Sequence, residues 1–251
     1  MLMTILLLSG CKHSQKEIPR RPGIEIFFEN TTIEKVSGSC AGNTSSCARV
    51  SLRFPMAKRG RPALAKAIND TLLTCLIQQL SLEKTAVPVS MAQLDSVASA
   101  YVAEWQEERG DATESWQFLA EGEVVMQTDK VAVVFLSIRS CSGGVLPGTS
   151  VTTFNFDLKT GKTLRLEDFI TNIPSLQMAA NKKWKNEESG DDLNTSENAQ
   201  PRNFELRHDG IYFWNLPPEN GFPFTTTKHF ALTYEELGAL VIRACWGFSF
   251  R

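Results

Sequence analysis

Histidine is scarce, with three scattered through 251 residues, and no CxxC, HExxH, GxSxG or P-loop pattern occurs. Zinc needs several nitrogen or sulfur ligands at close spacing, so neither a metal site nor a cofactor is expected. Nucleophilic catalysis has no local signature either. His13 precedes the folded body, His208 falls in a turn and His229 lies beside a strand. No catalytic residue is assigned. A concentrated basic stripe is also missing: 26 basic and 28 acidic residues are mixed along the chain, for a net charge of −2. Nucleic-acid binding rests on concentrated positive charge, so no nucleic-acid partner is expected. No apolar run approaches the roughly 20 residues of a spanning helix.

What is present begins at residue 1. Residues 1–8 are apolar apart from Thr4 and lead into Leu8-Ser9-Gly10-Cys11. An apolar run closed by small residues is the pattern of a leader removed by a signal peptidase. Because it ends on Cys11, the run resembles the bacterial lipobox, in which the cysteine is acylated and the leader cut in front of it. No Lys or Arg precedes the run, a departure from the usual basic start. The resemblance implies a signal peptide and lipobox over residues 1–11, lipidation of Cys11 and an extracytoplasmic body attached to a membrane through its lipid anchor. Lys12 stands where an inner-membrane retention signal has Asp, which by resemblance to lipoprotein sorting favours the outer membrane in a Gram-negative cell. Residues 12–23 (KHSQKEIPRRPG) are polar, with two prolines. Such a segment cannot bury enough surface to repay its ordering, and it is expected to be a tether.

Five further cysteines remain: Cys40, Cys47, Cys75, Cys141 and Cys245. Cys40 and Cys47 flank a small-residue loop and are expected to form a disulfide, adding about 2 to 3 kcal/mol by loop closure. Cys75 falls on the apolar face of a predicted helix as a buried thiol, and Cys141 and Cys245 are left open to pairing with each other.

Along the body, residues 24–36 are β-rich, and 49–54 alternate until Pro55, which is expected to end the strand. Pro62 suits the first position of a helix whose apolar face carries Leu64, Ile68, Leu72, Cys75, Leu76 and Leu80. Ser90 and Gln93 have capping-box spacing ahead of a second helix. Strands follow over 116–126, 131–140 and 150–158, with the Phe154, Phe156 and Leu158 side of the last expected to be the buried one. Gly161 can supply positive φ in a tight turn, and Leu164 and Leu166 are expected to continue a returning strand. A helix is expected over 174–184, a hairpin over 204–214, and a last helix over 234–241 with Thr233 and Glu236 at capping-box spacing. The fold class is α+β, with helices packed on one face of antiparallel sheets in two tightly associated halves. The halves are residues 24–145 and 146–251, and the strands on either side of the division can share one sheet.

The second half resembles the extracellular module at the C-terminus of RsiV-type anti-sigma factors, which also occurs in PdaC-type peptidoglycan deacetylases and small lipoproteins. The matching residues are the run from Phe154 to Lys162 (FNFDLKTGK) with Leu164, Leu166, Asp168 and Phe169, then Asp209-Gly210-Ile211-Tyr212-Phe213, then Phe230, Leu232, Tyr234, Glu236 and Leu237. Residues 24–145 resemble, by layout, the companion domain that usually precedes it. The resemblance implies a non-catalytic, wall-facing module and, from the anti-sigma factors, recognition of lysozyme. Two segments depart from the family pattern: Ser140-Cys141-Ser142-Gly143-Gly144 lacks its aromatic and histidine, and the loop after the second hairpin lacks its tyrosines.

That loop, LPPENGFPF over residues 216–224, has its own logic as a recognition element. Its prolines limit the ordering cost of binding; Phe222 and Phe224 offer apolar area, and Glu219 and Asn220 offer polar orientation. The alternative is that both phenylalanines close the core. Asp157 and Asp168 are the most tempting carboxylates, with turn and cap duties as their simpler roles. The expected function is therefore a cell-envelope lipoprotein binding a protein or peptidoglycan-related ligand, lysozyme-like by resemblance. The rival readings are a wall-acting hydrolase and a structural envelope component, and no oligomeric state is assigned.

Overall fold

The structure is a computed structural model that describes residues 26–40, 46–81, 89–108, 115–142, 148–187, 203–214 and 229–242. Strands β1 (Phe27–Ser39) and β2 (Ser46–Arg59) form a long antiparallel hairpin. Its turn is closed by the expected disulfide, Cys40–Cys47, with Cα atoms 5.2 Å apart. Contrary to expectation, Pro55 does not end β2. The ladder between β2 and its other neighbour, β3 (Trp116–Gln127), stops at Arg53, so no partner on that side requires an N–H from Pro55. Gly122 of β3 makes the room: a Cβ there would lie 3.0 Å from Pro55 Cδ.

Helix α1 (Pro62–Leu80) starts with proline in its first turn, and Leu64, Ile68, Leu72, Leu76 and Leu80 are buried along it. Helix α2 (Met91–Glu108) is capped by Ser90, whose Oγ accepts the Gln93 N–H at 3.1 Å. Because α1 and α2 lie between β2 and β3, the two strands run parallel, as a helical crossover requires. The sheet is thus mixed rather than purely antiparallel. It continues through β4 (Val131–Ser142) and β5 (Gly148–Asp157) in the order β1-β2-β3-β4-β5. β4 and β5 pair from Val131↔Asp157 to Ser140↔Gly148, so the strands on either side of residue 145 do share one sheet.

A second sheet of three antiparallel strands, β6 (Phe204–Leu206), β7 (Gly210–Trp214) and β8 (His229–Thr233), packs on the opposite face from α1 and α2. Phe204, Leu206, Ile211, Phe213, Phe230 and Leu232 meet Val131 and Val133 there, with Leu176 of α3 (Ile173–Glu187) and Leu237 of α4 (Tyr234–Leu237) closing the layer. Residues 131–134 are consequently buried on both faces. The same covering corrects the reading of β5, because Val151 and Asn155, on the side expected to be open, are 5% and 2% exposed.

The returning strand after Gly161 is not formed. A single bridge, Phe156↔Thr163, leads into a 3-10 turn over Leu166–Asp168. Further along, the edge of β5 is already occupied: the Thr153 N–H donates to Asn203 Oδ1 at 2.9 Å, and Asn203 Nδ2 donates to the Val151 carbonyl at 2.6 Å. The last helix is shorter than expected, because Gly238, at φ 52°, ends α4 and a 3-10 turn follows; glycine reaches a positive φ at little steric cost.

Candidate binding face

Alternation along the three short strands sends one set of side chains to the core and the other outward. The outward set comprises Glu205 on β6, Tyr212 and Trp214 on β7, and His229 and Ala231 on β8, with Glu205↔Tyr212, Tyr212↔Ala231 and Trp214↔His229 as cross-strand partners. Glu205 is 0% exposed even though it belongs to this set. A buried carboxylate needs compensation, and it has two partners. Its Oε2 accepts the Trp214 indole N–H at 2.9 Å, and its Oε1 accepts Nε–H of Arg207.

From that carboxylate the aromatic groups are set in order. Trp214 stacks on His229 with centroids 4.5 Å apart, and Phe135 of β4 meets the indole edge-on at 5.0 Å. The Arg207 guanidinium lies 4.3 Å from the Tyr212 ring centroid, a cation–π contact. Tyr212 donates to Asp209 Oδ2 at 3.1 Å, and the Tyr234 hydroxyl pins the Arg207 carbonyl at 2.8 Å. Partial burial alone would lower the Arg207 pKa; the hydrogen bond and charge of Glu205 outweigh it, and the net shift is upward. Desolvation, with the hydrogen bond to Asp209, raises that of Tyr212. Arg207 therefore stays cationic and Tyr212 stays a neutral donor across the physiological range. Flat aromatic faces held by a buried ion pair suit recognition of a sugar face or a protein side chain.

The expected recognition loop joins this face at both ends. Residues 215–228 run from Trp214 to His229, which are adjacent across the sheet. Glu219, Asn220, Phe222 and Phe224 lie outside the described residues, as do Cys11 and Cys245. Glu205, Arg207, Tyr212 and His229 were not picked out as a constellation by sequence. The available signal was an acidic residue at the centre of the short apolar strand Phe204-Glu205-Leu206, two positions before an arginine.

The other candidate carboxylates have structural duties. Asp157 accepts from the Lys159 N–H at 2.8 Å and the Thr160 hydroxyl at 2.7 Å; Asp168 accepts from the Arg165 N–H at 2.7 Å. Glu236 closes the capping box of α4, accepting the Thr233 N–H at 2.8 Å, and binds Lys183 of α3 at 2.8 Å. Burial, partly offset by a hydrogen bond with Thr152, pushes the Cys75 thiol up to about 11. It is therefore inert at neutral pH. Among the described residues no group of three or more His, Cys, Asp or Glu is placed to hold a metal ion, and no helix is long and apolar enough to cross a membrane.

Fold and site together define a class: a mixed five-stranded sheet with two crossover helices on one face and a small antiparallel sheet, bearing an outward aromatic set, on the other. That fold is found in solved members of the DUF3298 family. The crystal structure of a member from Bacteroides fragilis NCTC 9343 superposes with a TM-score of 0.67 at 16% identity, covering 86% of this chain and 93% of that one. A DUF3298 family protein from Pseudomonas aeruginosa PAO1 gives 0.59 at 16% identity, covering 87% and 96%. No family profile and no curated protein matches the sequence.

Proposed function

We propose that this chain is a non-catalytic binding protein of the bacterial cell envelope, held to a membrane by lipid on Cys11. The outer face of its small sheet, with the 215–228 loop, takes an envelope protein or a peptidoglycan-derived ligand. The observation that carries this reading is the fixing of Trp214 between Phe135 and His229 by the buried Glu205. An aromatic side chain locked in place loses little entropy on binding. Both Glu205 oxygens are already engaged, which favours binding over the rival hydrolase reading for this face. The resemblance to RsiV-type modules belongs to the proposal too, and makes a lysozyme-like protein the first partner to try.

Binding to lysozyme and to soluble muropeptides, measured by calorimetry, tests the site. Trp214→Ala is expected to weaken whichever is bound by tenfold or more, and Phe222→Ala with Phe224→Ala to weaken it while leaving the melting midpoint nearly unchanged. A core role for the two phenylalanines instead predicts a loss of about 3 to 5 kcal/mol each. Full affinity in Trp214→Ala, or consumption of the muropeptides, would sink the reading. Fatty-acid labelling tests the anchor separately, and undiminished label on Cys11→Ser would exclude it.

A further inference from the structure

Strand β1 stands at the end of the large sheet and is paired with β2 alone. Among the described residues, no backbone N–H or carbonyl of residues 27–39 has a partner outside that ladder. In an antiparallel pair every second residue turns both its backbone groups away from the neighbour, so β1 presents a row of unpaired donors and acceptors. The opposite margin of the sheet differs: Asn203 occupies β5 at Val151 and Thr153, and Thr163 bridges to Phe156. Natural sheets protect an open edge with proline, bulges or charged side chains. β1 has no proline, and its one irregularity lies at its start, between Phe27 and Phe28. Its three charged side chains are each engaged by this chain's own residues. Glu29 pairs with Arg59 at 3.9 Å, Glu34 with Arg49 at 3.5 Å and the Ser51 hydroxyl, and Lys35 with Asp95 of α2 at 2.8 Å. The edge otherwise carries Thr31, Thr32 and Val36, β-branched residues suited to strands, and Val36 is 55% exposed.

We propose that a second copy of this chain pairs with this edge, β1 antiparallel to β1, about a two-fold axis perpendicular to the sheet. A row of backbone groups is matched by another extended strand, and a strand whose charges are already paired meets its own copy with little like-charge conflict. The helix layer fits the same partner. α2 lies over β1, and its Asp95 is on the flank that Lys35 reaches. Positions three, four and eight residues from Asp95 share that flank. They are Ala92, Ser99 and Ala103, small enough to let the α2 helices of two copies approach to the roughly 8 to 10 Å of packed helices. The area is sufficient as well. β1 is 13 residues long, or about 44 Å, and strand and helix together stand about 15 to 20 Å high. Each copy therefore buries roughly 800 Å², the size of a standard interface. The two-fold axis keeps both small sheets on one face of a continuous sheet, with β1 and β2 of each copy between them. β4, which carries Phe135, lies about 34 Å from its copy, seven strand spacings away. Where the binding reading above holds, the two Trp214 faces flank one trough, and a ligand with repeated epitopes gains avidity from reaching both.

The test measures the mass of the full chain, carrying Cys11→Ser so that no acyl chain contributes, by sedimentation across a dilution series. A dimer is expected at about 10 µM and above, because interfaces of this size hold at micromolar concentration or tighter. Thr32→Lys with Val36→Lys places added charge on two exposed positions of the edge and is expected to weaken the dimer about tenfold or more. The same charge placed away from it, by Gln117→Lys with Met178→Lys, is expected to weaken it less than about threefold. Hydrogen exchange on the natural β1 supplies a readout that does not depend on any variant folding. Its outward amides over residues 28–39 are expected to exchange more slowly in concentrated than in dilute protein. A monomer at every concentration, a dimer indifferent to the β1 lysines, or β1 exchange unchanged by dilution overturns the proposal.

Discussion

Asn155 of the large sheet grips Phe204 of the small one: its amide Nδ2 donates to the Phe204 carbonyl at 2.7 Å, in a fully dry position. The other end of the amide accepts the Leu206 N–H at 3.0 Å, so one side chain pairs with β6 as a neighbouring strand would. Asn203 returns the arrangement toward Val151 and Thr153 of β5. Replacing Asn155 with Ala would leave the Leu206 N–H buried without a partner, at a cost of about 2 kcal/mol. Urea unfolding measures it, and a loss below about 0.5 kcal/mol would mean that water or a shifted strand replaces the amide.

Gly161 has a φ of 77°, and a Cβ there would lie 2.9 Å from Ala67 Cβ and 3.2 Å from the Leu64 carbonyl oxygen. Backbone strain and collision with the first turns of α1 therefore act together. Gly161→Val is expected to cost about 2 to 4 kcal/mol, the sum of a strained backbone and an overpacked contact. Gly161→Ala should cost less, and equal melting midpoints for all three proteins would show that the turn moves freely.

Glu205→Gln keeps the shape of the buried side chain but removes the charge opposite Arg207 and replaces one acceptor with a donor facing either Arg207 Nε or Trp214 Nε1. Arg207 is 37% exposed and can regain water, so the loss is expected at about 2 kcal/mol rather than the larger figure for a fully buried pair. Trp214 should also loosen, seen as a change in tryptophan fluorescence absent in the control Glu167→Gln. An unchanged spectrum would separate Glu205 from the positioning of the indole.

The carboxyl of Glu236 is held below its ordinary pKa, first by the hydrogen bond from Lys183 and then by the Thr233 N–H. A lowered native pKa contributes stability that is present in full above the unfolded value and is lost as pH falls through the native one. The stability difference between the natural chain and Glu236→Gln should therefore be constant near neutrality and shrink below about pH 4. The site is partly exposed, so the difference is expected to be about 1 kcal/mol or less. A difference that grows on acidification would contradict the assignment.

Local chemistry made much of the fold legible. Pro62 at a helix start, the Thr233–Glu236 box, the Gly161 turn and the apolar period of α1 each depend on residues within a few positions of one another. Pro55 misled because a proline ends a strand only where a neighbour asks for its N–H, and β3 had already parted from β2 at Arg53. Asn155 looked like an outward polar residue in an alternating strand. Its burial depends on a sheet contributed some 50 residues later, which no local pattern encodes.

The sequence by itself determined most of the element types, the Cys40–Cys47 bridge and the α+β class, because propensity, capping and short loop closure act over distances the chain spans locally. Only the tertiary structure decided that β2 and β3 run parallel, that β4 and β5 are covered on both faces, and that Glu205, Arg207, Tyr212, Trp214 and His229 form one face. Those outcomes are set by which surfaces bury one another. A carboxylate becomes a buried anchor for an indole only after β6 and β7 have paired and brought Arg207 and Trp214 against it, where the low dielectric makes its two hydrogen bonds costly to lose.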